Sequence, residues 1–162
     1  MASRPKRAAA LTAYRIADAR YPIFDGTGAS LIGGRWNSPG RPVVYAAASY
    51  AGAMLERLVH AGTGRMPKNQ KVVLMRIPAR VSREEWTWDS LPPGWSADDA
   101  IASRAFGDAW LDRGRSAVLI VPSVLAKYEK NVVINAAHPD VRWIVASRPE
   151  KVVWDLRLFK RK

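Results

Sequence analysis

Pro42-Val-Val-Tyr-Ala-Ala-Ala-Ser-Tyr-Ala-Gly-Ala-Met-Leu-Glu-Arg-Leu-Val-His-Ala-Gly62 carries a strand, a turn and a helix in succession. Pro42 to Tyr45 is a short β-rich run. Ser49 has the side chain an N-cap needs, because its hydroxyl can accept a bond from an orphan N–H of the first turn. The spacing predicts a helix from about Tyr50 to His60 that stops at the terminal glycine Gly62. Ala51, Met54, Leu55 and Leu58 form its expected core stripe.

Outward from this unit the pattern continues as strands with few helices. Residues 13–16 read as a first strand, and Asp25 to Gly34 as a glycine-rich loop. Val72 to Ile77 is a continuous apolar strand ended by Pro78. Glu84 to Trp95, with three Trp and with Pro92, Pro93 and Gly94, reads as an irregular packed loop. Ser96 to Asp99 resembles a capping box with Asp in place of Glu, and predicts a helix from Ala97 to about Leu111 that Gly114 ends. Four further strands are expected at 117–121, 131–134, 142–146 and 152–158. This order gives an α+β fold with a mixed sheet and flanking helices, not the regular alternation of a doubly wound fold.

Composition narrows the function. The 162 residues predict one domain, and 48% hydrophobic content with seven Trp is enough for a core. The chain has no Cys and two His, which excludes disulfides, Cys nucleophiles and thiolate metal sites and leaves little for a His-based metal site. No apolar run approaches the about 20 residues of a membrane span and no signal peptide is evident, so a cytoplasmic protein is expected. The net charge is +12, but Arg4, Lys6 and Arg7 lie in one tail and Arg157, Lys160, Arg161 and Lys162 in the other, leaving +5 between them. Such a body suits an anionic ligand or an acidic partner, and permits nucleic-acid contact.

Familiar nucleotide motifs are missing. There is no Walker loop, and Leu31 stands where a dinucleotide fingerprint would need its third Gly after Gly28. Ser123, His138 and Asp140 make a triad on paper only, since no nucleophile elbow accompanies them. Gly33-Gly34-Arg35-Trp36-Asn37 is more informative: a guanidinium offers a planar fork to phosphate, and flanking glycines let backbone N–H groups approach the same anion. Glu56 lies within an apolar helical segment with small residues Gly52 and Ala53 on its side, although the residues alone favour an exposed Glu paired with Arg57 or with a Lys or Arg elsewhere. Ser123 and Asn135 end strands and face either a cleft or a turn. Tyr45 is either a stacking platform or a core aromatic.

Taken in order, Tyr14-Arg15, Gly34-Arg35-Trp36-Asn37, Val44-Tyr45, Leu55-Glu56 with Leu58-Val59-His60, Val121-Pro122-Ser123, and Asn131 through Asn135 to His138-Pro139-Asp140 resemble the RES-domain family, named for its Arg, Glu and Ser. The likeness spans about 13–157. Ala136 departs from it where Pro is expected after the Asn. The resemblance implies a single RES domain over 13–158 between basic tails at 1–12 and 159–162, with a fold like that of diphtheria-toxin-type ADP-ribosyltransferases. It implies a toxin paired with an Xre-like antitoxin, with NAD+ as substrate and no metal. Such a toxin either depletes NAD+ by hydrolysis or phosphorolysis, or transfers ADP-ribose to a protein, as a ParT-like branch does to phosphoribosyl pyrophosphate synthetase. It further implies that Arg35 with Arg15 grips the diphosphate, that Tyr45 stacks on nicotinamide, that Glu56 stabilises the cationic ribose, and that Ser123 and Asn135 hold the ligand by hydrogen bonds. The alternatives are a basic RNA-binding or ribonuclease toxin and a non-catalytic interaction domain.

Overall fold

The computed structural model describes residues 9–62 and 64–159. Most of both basic tails, including Arg4, Lys6, Arg7, Lys160, Arg161 and Lys162, lies outside the described residues. Eight strands form one mixed sheet: β1 (Leu11–Asp18), β2 (Val43–Ala47), β3 (Gln70–Ile77), β4 (Arg83–Glu85), β5 (Val118–Pro122), β6 (Lys130–Asn135), β7 (Val145–Ala146) and β8 (Glu150–Lys151). The order is β4-β5-β6-β2-β1-β3-β7, with β8 also on β3; every pair is antiparallel except β4 with β5. Three α-helices accompany it: α1 (Thr27–Ile32), α2 (Tyr50–Ala61) and α3 (Ile101–Arg113).

Two apolar layers explain the fully buried β5. Val118 and Ile120 face one cluster with Val132, Ile134, Val44 and Met75, whereas Leu119 and Val121 face another with Val133, Val43, Trp36 and Trp110. The period-2 pleat sends alternate residues to opposite faces, so a strand covered on both sides reads as a continuous apolar run. α3 covers the second layer through Ser103, Gly107 and Trp110, one face of a helix. Among the described residues no helix is long and apolar enough to cross a membrane.

The sheet is weakest between β1 and β2. β1 pairs with β3 along eight residues, but meets β2 only at Tyr14 opposite Ala47. The two halves part there, and the guanidinium of Arg15 bridges the gap: Nη1 donates to Tyr45 O at 2.8 Å and Nε to Ile23 O at 2.6 Å. The Tyr45 carbonyl of β2 is thus satisfied by a side chain of β1.

Several local expectations are corrected. The 25–34 loop contains α1, and the loop after Glu84 begins with β4. α3 starts at Ile101, not Ala97, because successive turns (Ala97 N–H to Gly94 O, Ala100 N–H to Ala97 O) occupy the preceding residues. Asp99 still contributes a cap, accepting from Ile101 N–H at 2.9 Å. The expected strand at 142–146 is a 3-10 turn over Pro139–Trp143 followed by the two residues of β7, since Pro139 starts the turn and His138 caps it. The expected strand at 152–158 is absent; Asp155 caps a 3-10 turn over Leu156–Leu158 instead. Ser49 does cap α2, accepting from Gly52 N–H at 2.9 Å. The expected stripe of α2 is not its buried face: Gly52 and Ala53 are buried, whereas Ala51 and Leu55 are exposed and Met54 and Leu58 only half-buried.

Candidate functional site

A cleft of about 420 Å³ opens at the β1–β2 split. α2 forms one wall with Ala53, Glu56, Arg57 and His60, a helical i, i+3, i+4, i+7 stripe. β1 and β2 supply Arg15 and Tyr45, and the loop before β2 supplies Gly33, Gly34 and Arg35. Arg35 and Glu56, 21 residues apart in sequence, therefore line one cavity.

Glu56 is held by one oxygen. Its Oε1 accepts from Asn131 Nδ2 at 2.9 Å and from Ser123 Oγ at 3.4 Å, while Oε2 makes no hydrogen bond among the described residues. Ser123 is only 3% exposed and does not line the cleft. It stands behind Glu56, and its Oγ also accepts from Leu125 and Ala126 N–H, so it positions the carboxylate and caps the turn after β5. Asn135 is displaced from the expected site. It pairs with Val43 at the far end of β2, and its Oδ1 accepts from Ala137 N–H in a turn. Asn131, paired with Ala47, occupies the cleft instead. Both asparagines share one face of β6, but four residues of strand separate them by about 13 Å.

A network of side-chain hydrogen bonds shapes the Arg35 loop. Tyr45 Oη accepts from Trp36 N–H at 3.0 Å and donates to Asn37 Oδ1 at 2.6 Å. Fully buried Asn37 donates to the carbonyls of Ala29, Ser38 and Arg41. Asp108 on α3 accepts from Ser38 N–H at 2.9 Å, and Arg104 Nε donates to Gly34 O at 3.2 Å. The N–H groups of Gly33 and Gly34 bond Ala29 O and Asn37 O, so they are not free for an anion as the sequence suggested. Gly34 is needed for packing: a Cβ there would lie 2.6 Å from Tyr45 Oη. Gly52 likewise makes room not for Glu56 but for Ser49, Glu129 and Ala47, all within 3.4 Å of where its Cβ would stand.

Burial pushes the Tyr45 phenol well above its ordinary pKa, so it stays protonated and keeps donating. Tyr45→Phe should therefore strand the Trp36 N–H and Asn37 Oδ1, and lower stability by about 1–3 kcal/mol in a denaturant titration. Burial also lowers the Arg15 pKa, opposed by Asp25 and reinforced by the neighbouring Arg57 charge. Arg15, Arg35 and Arg57 all line the one cavity. Arg35 Nη1 donates to Trp95 O at 3.1 Å and Ala97 O at 2.8 Å, leaning toward the 95–97 segment. Arg57, like Asn131, is a cleft residue that sequence reasoning missed. Its buried Nε has no partner among the described residues, and only its place beside Glu56 on the stripe with Ala53 could have marked it. The paper triad does not form: Asp140 accepts from Ser82 Oγ at 2.6 Å, while Ser123 faces Glu56.

The split in the mixed sheet thus sets a helix-borne carboxylate and Arg15, Arg35 and Arg57 around one cavity. The chain matches the RES domain model over residues 12–155, and it belongs to the RES domain family. It is 43% identical over 155 residues to the "Prs ADP-ribosylating toxin" of Sphingobium sp. (strain YBL2), covering 91% of this chain and 96% of that protein. It is 37% identical over 141 residues to "Toxin Res" of Pseudomonas putida, covering 86% and 94%. In three dimensions it resembles a chain of the M. tuberculosis MbcT–MbcA toxin–antitoxin complex, with TM-score 0.73, 20% identity, and coverage of 88% of this chain and 84% of that one. The α+β fold with a mixed sheet and flanking helices expected from the sequence is the fold observed.

Proposed function

We propose that this protein is the toxin of a toxin–antitoxin pair, that it binds NAD+ in the β1–β2 cleft, and that it breaks the nicotinamide–ribose bond. The observation that carries the reading is the sharing of one cavity by Glu56 and the three arginines, in a chain 43% identical to a protein named for ADP-ribosylation. A dinucleotide diphosphate is a dianion, and guanidinium forks match its oxygens. As the N-glycosidic bond opens, its electron pair leaves with nicotinamide and the ribose takes on oxocarbenium character. A fixed carboxylate beside C1′ stabilises that charge without reorganising. Glu56, tethered through Oε1 with Oε2 free, suits this role. In this reading the Tyr45 ring stacks on nicotinamide, while its hydroxyl anchors the Arg35 loop. The acceptor nucleophile then bonds C1′ and loses its proton.

The acceptor we favour is a protein side chain, as the name of the Sphingobium relative says of that protein; water or phosphate would make the same site an NAD+-depleting one. A cognate Xre-like antitoxin belongs to this reading, since the structural neighbour was solved with its antitoxin. Incubation with NAD+ labelled in the adenylate half, with and without cell lysate, tests it. A labelled protein band supports transfer, and free ADP-ribose alone supports hydrolysis. If NAD+ stays intact and unlinked to protein while the chain still arrests growth, the reading fails and the ribonuclease alternative replaces it.

Asn131 gives a finer test. Asn131→Ala leaves Glu56 Oε1 with only the 3.4 Å bond from Ser123, and NAD+ turnover should fall about tenfold through lost orientation. Asn131→Asp sets a second carboxylate against Glu56 and should cost more than the alanine change. Steady-state rates with both variants check the order.

A further inference from the structure

A second concavity of about 760 Å³ lies along β3 and β8, bordered by Lys68, Lys71 and Lys151. All three lysines are exposed, and none forms an ion pair among the described residues. Lys71 and Lys151 are direct partners in the antiparallel β3–β8 register. Directly opposed side chains have Cβ atoms about 5 Å apart, where like charges repel. Folding places these ammonium groups together against their own electrostatics, and an anion seated between them removes the penalty.

The floor has its own unmet chemistry. Among the described residues Trp154 Nε1 is a buried donor without an acceptor, and Gln70 Oε1 a buried acceptor without a donor, both in residues that line this groove. Exposed Met66 and Val153, at 47% and 79%, flank the lysines. A surface built for nucleic acid pairs its cations with open aromatic faces on which bases stack. Here the lining aromatic, Trp154, is packed with Ile16, Ala53 and Val152 and meets Phe159 edge-on at 6.1 Å. Carboxylates for the lysines and apolar side chains for Met66 and Val153 together describe an acidic peptide.

We propose that the β3–β8 groove is a docking site for an acidic polypeptide segment held by Lys68, Lys71 and Lys151. The groove and the cleft share a wall: Ile16 and Ala53 line the cleft, Val152 and Trp154 line the groove, and all four belong to one packed cluster. A protein held here sits next to the cleft mouth. The inference does not depend on the cleft's chemistry, because binding is read without NAD+.

The test is fluorescence anisotropy of the full chain with a fluorescein-labelled peptide of alternating Glu and Leu, and with a short oligo-uridine RNA as a second probe. The peptide should bind wild type in a salt-sensitive way, and K71E/K151E should weaken it by about tenfold or more, since like charges then face each other across the interface. K71E alone turns the Lys71–Lys151 repulsion into attraction, so its melting temperature should match or exceed wild type while its peptide binding weakens, which separates lost docking from lost folding. NAD+ turnover of both variants should equal that of wild type. Failure of the peptide to bind wild type, equal peptide affinity in wild type and K71E/K151E, or tighter lysine-dependent binding of the RNA would each overturn the proposal.

Discussion

Glu56→Gln should lower NAD+ turnover by about 10²–10³-fold while leaving NAD+ affinity nearly unchanged. The substitution is close to isosteric. With the amide oxygen in place of Oε1, it still accepts from Asn131 Nδ2 and Ser123 Oγ, so the tether on α2 persists. What changes is the group facing the cleft, where a neutral amide replaces the charge on Oε2. Bound NAD+ already carries a cationic nicotinamide, but C1′ becomes cationic only as the bond breaks. The lost interaction therefore belongs to the transition state and acts on kcat more than on KM. Arg35→Ala should show the opposite split, raising KM more than it lowers kcat, because a diphosphate is bound equally before and during the reaction. Single-turnover rates and NAD+ titrations on the two variants separate these outcomes. A Glu56→Gln enzyme within tenfold of wild type would remove the carboxylate from the proposed chemistry.

The parts of the fold that sequence made legible are those set by local rules. Ser49 and Gly62 bracket α2 because a hydroxyl and a terminal glycine act on their own neighbours. β5 and β6 announce themselves as apolar runs because both faces are covered. β4 was illegible: three polar residues, Arg83 to Glu85, become a strand only because β5 lies alongside in parallel register. The amphipathic logic of α2 misled for a related reason. Its sheet-facing stripe runs through Glu56, Arg57 and His60, so the polar face turns inward to line a cleft and Leu55 and Val59 turn out. For the site, the glycine-flanked guanidinium already marks Arg35 as a candidate, whereas Glu56 is decided by resemblance in residue order. Their meeting depends on the β1–β2 split, which a single pairing between Tyr14 and Ala47 creates. Asn131 and Asn135 share a strand face, and nothing local says which end of β6 reaches the cleft.

Gly107→Ala is the second substitution with a large expected effect, on stability. In an isolated helix it would help by about 1 kcal/mol, since Gly is a poorer helix former than Ala. Here a Cβ on Gly107 would lie 1.9 Å from the carbonyl oxygen of Trp36, 2.6 Å from its carbonyl carbon and 2.9 Å from its Cα. These are backbone atoms and cannot rotate away. The Trp36 turn cannot retreat either: its indole, 2% exposed, stacks on Trp95 at 5.8 Å and meets Phe106 edge-on at 6.0 Å. α3 must therefore move off, loosening the Asp108–Ser38 and Arg104–Gly34 bonds that hold the Arg35 loop. Overpacking of this kind costs about 1–3 kcal/mol and at times more, which outweighs the propensity gain. At about 2–4 °C per kcal/mol for a chain of this size, the melting temperature should fall by several degrees. NAD+ affinity should weaken in the same variant well below its melting temperature, because Arg35 is the residue next to the displaced carbonyl. Calorimetry with an NAD+ titration reads both effects. A Gly107→Ala protein that melts higher than wild type would mean that α3 and the Arg35 loop are not in the close contact that builds this cleft.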